Sequence, residues 1–369
     1  MPIFVNLKLR VLAAICLSLA VLPPAYSQAA QETMTNTSEM PPPVSVNPSP
    51  SEIVQKASEA QFNDLASAGN ALVAVGERGI ILRSIDGKTW KQKASPVDVL
   101  LNAVFFFDSR NGWAVGHDAA IIATRDGGES WTLQSFSPGL NKPLMDVVFT
   151  DAKNGFAVGA YGLFKVTTDG GETWTDFIDP VFEEGQPHLN ALARLRDGKL
   201  VLVGEAGLVA VSENGSSWQR VPLDYKGSLF SVAPRGARGV VVAGMRGNVY
   251  ASEDLSAALP IAVQEGTAAA ENVDPAANVS SLGWMQLNTG STRSLFGLAS
   301  LGGDDLVAVG SVGTALVFRS GSATKKLKFA DASKKTESSL FTSALYWRHN
   351  LVIATDRGFK TVGIAKPKT

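Results

Sequence analysis

The sequence predicts an all-β fold: a seven-bladed β-propeller of four-stranded antiparallel blades, the last blade closed by an N-terminal strand. Three observations carry this prediction. A glycine anchor recurs down the chain, a leucine recurs at a fixed offset before it, and a turn leading to a tryptophan recurs after it. A unit of about 42 residues that reads strand, loop, strand, glycine turn, strand, Asp-Gly turn, strand is one propeller blade.

The anchor is the phrase A-V-G-x-x-G, seen at Ala74-Val75-Gly76, Ala157-Val158-Gly159 and Ala308-Val309-Gly310. Variants stand at Leu202-Val203-Gly204, Val242-Ala243-Gly244, Ala114-Val115-Gly116 (with Ala119 for the second glycine) and Ile353-Ala354-Thr355. The first-glycine column therefore runs 76, 116, 159, 204, 244, 310 and 355, with a single long step of 66. Leu101 stands to Gly116 as Leu144 does to Gly159, Leu189 to Gly204, Leu229 to Gly244, Leu295 to Gly310 and Leu340 to Thr355. In the second unit the strands read LNAVFFF, GWAVG, IIATR and WTLQS, short β-branched and aromatic runs bounded by Gly, Asn and Asp. Runs such as LVLVG lack polar alternation, as expected for strands buried on both faces.

The turn before the fourth strand has its own signature, [ST]-x-D-G-G-x-[ST]-W. It places Asp126 with Trp131 and Asp169 with Trp174, a shorter form places Asp86 with Trp90, and an eroded one places Asn214 with Trp218. The carboxylate or amide accepts bonds from turn amides, glycine supplies positive φ, and the indole covers the hairpin. Aspartates that recur once per blade on separate hairpins are fasteners rather than catalysts.

Only the short tail Asp356–Thr369 follows the last anchor, enough for a third strand and no fourth, so residues 51–58, with Ile53 and Val54, are expected to supply the outer strand of blade 7. The long step is filled by an insertion at 254–283 in blade 5, Ala-rich and expected as a long loop.

The N-terminus reads as a signal peptide over 1–27: Lys8 and Arg10, an apolar run from Val11 to Leu22, and a small-x-small site at Ala25-Tyr26-Ser27. Residues 28–50, rich in Pro, Ser and Thr, read as a flexible linker, leaving 51–369 for the propeller. The expected location is the periplasm, and the chain after cleavage is not itself membrane-spanning. The sole cysteine, Cys16, lies in the signal, so disulfides and thiolate metal sites are excluded from the mature chain. A formal net charge of −1 gives no bias towards nucleic acid.

Searching for chemistry yields no catalytic constellation, cofactor motif or metal-ligand spacing. His117, His188 and His349 lie in separate blades, and Glu183-Glu184 and Asp304-Asp305 read as solvated surface. A column near the start of the first strands reads Asn63, Asn102, Asp146, Asn190, then Phe230, Phe296, Phe341. It either lines a channel that is polar on one side and aromatic on the other, or packs between blades.

The repeats G-x-x-G-x-[IL]-x-x-[ST]-x-D-G-G-x-[ST]-W resemble the photosystem II stability/assembly factor family and, more broadly, the BNR (Asp-box) repeat propellers that include sialidases. The resemblance covers about residues 51–364. It implies an exported, non-catalytic, monomeric propeller that binds a membrane protein complex or another periplasmic protein, including an exporter in a non-photosynthetic host. The alternative it implies is a sialidase-like glycan-binding or glycoside-hydrolysing propeller. The family presents an arginine-rich patch on one face. In this chain the glycine turns carry both signs, and Arg78, His117, Asp118, Tyr161, Glu205, Arg246, Asp356 and Arg357 are the candidate partner-binding residues.

Overall fold

In the computed structural model, blade 2 shows the pattern of the repeat. Its strands are Leu101–Phe106, Gly112–Gly116, Ile121–Thr124 and Thr132–Ser135, paired antiparallel in chain order. Among the described residues, six such four-stranded sheets and one three-stranded sheet succeed one another along the chain. The first strand of each blade contacts that of the next, and the last, Phe341–Trp347, meets the first, Phe62–Ala68, which closes a ring of seven blades. The structure describes residues 47–258, 283–319, 325–327 and 339–364. The signal peptide, nearly all of the linker and residues 259–282 of the insertion lie outside them.

The apolar runs are explained by what each blade touches. Among the described residues, buried side chains gather into seven clusters, and each cluster fills one seam between two blades. Along a second strand, alternate residues enter opposite seams. Leu200 and Leu202 pack between blades 3 and 4, while Val201 and Val203 pack between blades 4 and 5. The period of two is present, but both phases are apolar, and each buried Val or Leu contributes about 1.5–3 kcal/mol.

The register corrects one column of the sequence reading. The residue paired with the anchor is Phe62, Leu101, Leu144, Leu189, Leu229, Leu295 and, in blade 7, Phe341 opposite Thr355 rather than Leu340. Every first strand then bulges by one residue. The bulged column is Asn63, Asn102, Met145, Asn190, Phe230, Phe296 and Thr342, so Asp146 sits one position further on and Phe341 one position earlier. These side chains cross the seams instead of lining a channel. Asn63, Asn102, Asn190 and Thr342 donate to the carbonyls of Leu101, Leu144, Leu229 and Phe62 at 3.0, 2.7, 2.8 and 2.7 Å, and Phe230 packs on Phe296 of the next blade at 5.3 Å. The packing reading of the column is the one the geometry supports.

The expected N-terminal strand of blade 7 is not formed. Residues 51–58 contain no strand, and the seventh sheet holds three strands, ending with Gly358–Gly363. Blade 1 captures the segment first. The Ser51 amide donates to the Ser95 carbonyl at 3.1 Å, and Gln92 holds Val54 N–H and the Glu52 carbonyl at 2.9 and 2.8 Å. Ile53 stays 66% exposed, so the apolar residue that suggested a buried strand contributes no burial. A 3₁₀ turn at Ala57–Glu59 follows, and a single rung, Gly358 N–H to Ala60 C=O at 2.8 Å, reaches blade 7.

Side chains close the ring in its place. Phe359 stacks between Phe62 at 4.6 Å and Trp90 at 4.0 Å. Ser343 donates to Asp64 at 2.7 Å, and Arg348 lies over the Trp347 ring at 4.2 Å while donating to the Ile85 carbonyl at 3.1 Å.

Candidate functional site

The turn joining second and third strands presents one tip per blade on a common face. Its central residue is left-handed in six blades: Arg78, Asp118, Tyr161, Ala206, Arg246 and Val312, with φ between 52° and 58°. A non-glycine residue there costs about 1–2 kcal/mol. The next residue is usually glycine because the backbone of the following connection presses on it. A Cβ on Gly79, Gly207 or Gly247 would run into the carbonyl of Val97, Tyr225 or Ser291. Ala119 occupies that position in blade 2 at φ 50°. In blade 7 a different device makes the turn: the Thr355 hydroxyl donates to the Gly358 carbonyl and accepts from Arg357 N–H, both at 3.0 Å.

The first residue of the turn points back into the fold. Glu77, Glu205 and Asp356 accept the N–H of Gln61, His188 and Leu340 at 3.2, 3.0 and 3.0 Å. Where the turn residue is Ala160, the residue in that place is Pro143, which has no N–H to satisfy. Glu205 and Asp356 therefore brace the backbone at the entry to the first strand, and Glu77 is a third brace that the sequence reading did not single out. His117, also at a first position, is pushed towards the neutral form chiefly by burial, against the opposing charge of Asp118. His188 is buried against Tyr161, with ring centroids 4.6 Å apart, while His349 lies 3.3 Å from the Tyr346 hydroxyl.

Arg78, Arg246 and Arg357 are exposed, and among the described residues none of the three guanidiniums has a hydrogen bond or ion pair. They occupy the tips of blades 1, 5 and 7, one arc of the ring. Asp118 and Tyr161 occupy the tips of blades 2 and 3, beside the exposed Glu183 and Glu184 in the connection after blade 3. Arg78 and Arg357 come together because blade 7 meets blade 1, each following an acidic residue, Glu77 or Asp356, that is turned onto the backbone. Asp179 caps the helix Pro180–Glu183 of that connection through Val181 N–H at 3.0 Å.

The Asp-Gly turns lie on separate hairpins, as expected of fasteners. Asp86 accepts Lys88 and Thr89 N–H at 2.8 and 2.7 Å, and Asn214 accepts Ser216 N–H at 3.0 Å. Asp126 and Asp169 each accept both the amide and the hydroxyl of the residue four on, Ser130 and Thr173. These bonds hold Asp86, chiefly through Thr89, and Asp169, chiefly through Thr173, well below the ordinary carboxylate value. For Asp126 burial pulls upward, and the bonds from Ser130 and Thr124 outweigh it to leave the group at about 2. Trp90 and Trp174 are half-buried, Trp131 and Trp218 buried, each in a seam.

Of the acidic pair at 304–305, Asp304 is exposed as expected and accepts Gly236 N–H at 3.0 Å, whereas Asp305, at the start of the second strand of blade 6, is buried 3.6 Å from Arg319 just beyond the third strand of that blade. Among the described residues no group of three or more His, Cys, Asp or Glu is placed to hold a metal, and no helix is long and apolar enough to cross a membrane.

Comparison with known proteins agrees with this architecture. Residues 134–292 match the family model described as Photosynthesis system II assembly factor YCF48. A solved structure of YCF48 bound to D1 peptide superposes with a TM-score of 0.61 at 19% identity, covering 87% of this chain and 100% of that one. YCF48 from Cyanidioschyzon merolae gives a TM-score of 0.62 at 15% identity, covering 82% and 95%. The WD40 propeller of Doa1 gives 0.56 at 12%, covering 82% and 93%, a likeness of fold. No curated protein sequence matches the chain. Its seven blades in register and its repeated turns make this chain a seven-bladed β-propeller, similar over residues 134–292 to the photosystem II assembly factor YCF48 family.

Proposed function

We propose that the chain is a non-catalytic periplasmic propeller that binds a segment of a membrane protein on its tip face and assists assembly or stability of the complex to which that protein belongs. The observation that carries the reading is the arc of Arg78, Arg246 and Arg357, exposed and without protein partners among the described residues. The carboxylates on two of the same turns, Glu77 and Asp356, are engaged by backbone amides. A planar guanidinium held on a rigid turn is suited to carboxylates of a partner segment. The solved YCF48 structure with a D1 peptide is consistent with a propeller of this family taking a peptide.

Crosslinking in cells, read by mass spectrometry, tests the reading. The wild-type chain should give adducts with a membrane protein, and the triple substitution Arg78→Ala, Arg246→Ala, Arg357→Ala should remove them while circular dichroism stays unchanged. Affinity for the identified segment should fall tenfold or more and weaken with salt. Unchanged adducts in the triple variant would sink the proposed surface. Turnover of a glycan by the purified chain would sink the non-catalytic reading.

A further inference from the structure

On the face opposite the tips, one seam differs from its neighbours. Between blades 1 and 2, Arg83 bonds the Gly127 carbonyl at 2.9 Å and pairs with Glu129 at 2.8 Å. Between blades 2 and 3, Arg125 bonds the Gly170 carbonyl at 2.6 Å, and Gln134 accepts the Trp174 indole N–H at 3.3 Å. The positions of Arg83, Arg125 and Gln134 are held in blade 3 by Val166, Thr168 and Phe177. Among the described residues these three positions make no hydrogen bond to blade 4, where Arg194 instead donates to the Thr150 carbonyl of blade 3, and a cleft of about 730 Å³ opens there, lined by Val166, Phe177 and Phe156 on one side and by the Asn214–Ser216 turn on the other. The Trp218 indole N–H, counterpart of that of Trp174, is buried with no partner among the described residues, as is that of Trp131 in the seam between blades 1 and 2.

The polar groups at the cleft are already engaged. Arg194 donates to the Thr150 carbonyl at 3.1 Å, Glu213 pairs with Lys199 at 2.6 Å, and Asp151 accepts from Lys153 and Asn154 at 2.8 and 2.9 Å. The Asn214 side-chain carbonyl accepts from Ser216 twice. Arg194 and Asp151 carry opposite charges that act on each other, so with the Lys199–Glu213 pair the cleft offers no net charge to a charged ligand, and a sugar finds few unengaged hydrogen-bonding groups.

We infer that the cleft between blades 3 and 4 is a second docking site, for an uncharged segment of a partner polypeptide that inserts an aliphatic or aromatic side chain against Phe177. It is independent of the arginine arc. Phe177→Gln reproduces the arrangement of Gln134: the amide reaches the Trp218 N–H and makes the wall polar.

The experiment titrates the purified chain with an acetylated, amidated hexapeptide, Gly-Leu-Phe-Leu-Gly-Ser, following tryptophan indole N–H resonances by NMR. Parallel titrations use the same peptide with two Asp or two Lys in place of Phe-Leu, and maltotriose. The apolar peptide should move the Trp218 resonance saturably and the others should not. Phe177→Gln, and separately Ser216→Arg from the opposite wall, should weaken binding at least tenfold, and the triple arginine substitution should leave it unchanged. Equal binding by the Phe177→Gln and Ser216→Arg variants, preference for a charged peptide or maltotriose, or no saturable shift would overturn the proposal. Because the arginine arc is varied separately, failure here leaves the tip-face reading standing, and the reverse also holds.

Discussion

The seam between blades 7 and 1 and the seam between blades 3 and 4 solve the same packing problem in opposite ways. The first has no covalent continuity and, among the described residues, no fourth strand, yet it is filled by the stack of Phe62, Phe359 and Trp90 and by bonds from Ser343, Thr342 and Arg348. The second joins blades that are consecutive in the chain, and its outer part stays open. Where the chain itself tethers two blades, side-chain bridging can be relaxed without opening the ring. Where only packing holds the ring shut, it cannot.

The comparison breaks hardest at the closing seam. Phe359→Ala removes a ring stacked on two others and should lower stability by about 3 kcal/mol, read by urea unfolding at pH 7. A loss below ~1 kcal/mol would mean that the stack is not what shuts the ring.

At the open seam the sign reverses. Phe177→Gln gives the buried Trp218 N–H an acceptor and should raise stability by about 1 kcal/mol. Destabilisation would show that Phe177 is packed in its seam as tightly as Phe359 is in its own.

The smallest effect is acid sensitivity. Asp86, Asp126 and Asp169 titrate in the folded chain below the ordinary carboxylate value, so their stabilising contribution is complete above that value and is lost as pH falls through it towards the folded values. The turn on the open seam carries Asn214, which does not titrate. Asp126→Asn and Asp169→Asn should flatten the fall in stability below about pH 4, and Asn214→Asp should steepen it. The same acid slope in all variants would count against hydrogen bonding in these turns as its cause.

Much of the fold is legible in the sequence because each blade repeats the same local requirements. A backbone pressed close by the next connection selects glycine, a hairpin selects Asp-Gly, and a strand between two seams selects an apolar run. The candidate site was legible only in part. Arg78, Arg246 and Arg357 can be found by aligning turns, but that they form an arc depends on blade 7 meeting blade 1, a contact between chain ends. Glu205 and Asp356 look like surface charges until their backbone partners, His188 and Leu340 at the entry to the same blade, are seen. The cleft had one available signal, the residue three after each tryptophan: Lys93, Gln134, then Phe177.

By itself the sequence determined the number of blades, the order of the strands within the repeat and the turns that fasten them, because those follow from interactions spanning a few residues. Only the tertiary structure decided the bulge register, the use of Asn63, Asn102 and Asn190 as seam stitches, the side-chain closure in place of an N-terminal strand, and the open seam. Each of those is a competition between partners on different blades, and its outcome depends on which groups the closed ring brings within a hydrogen bond of one another.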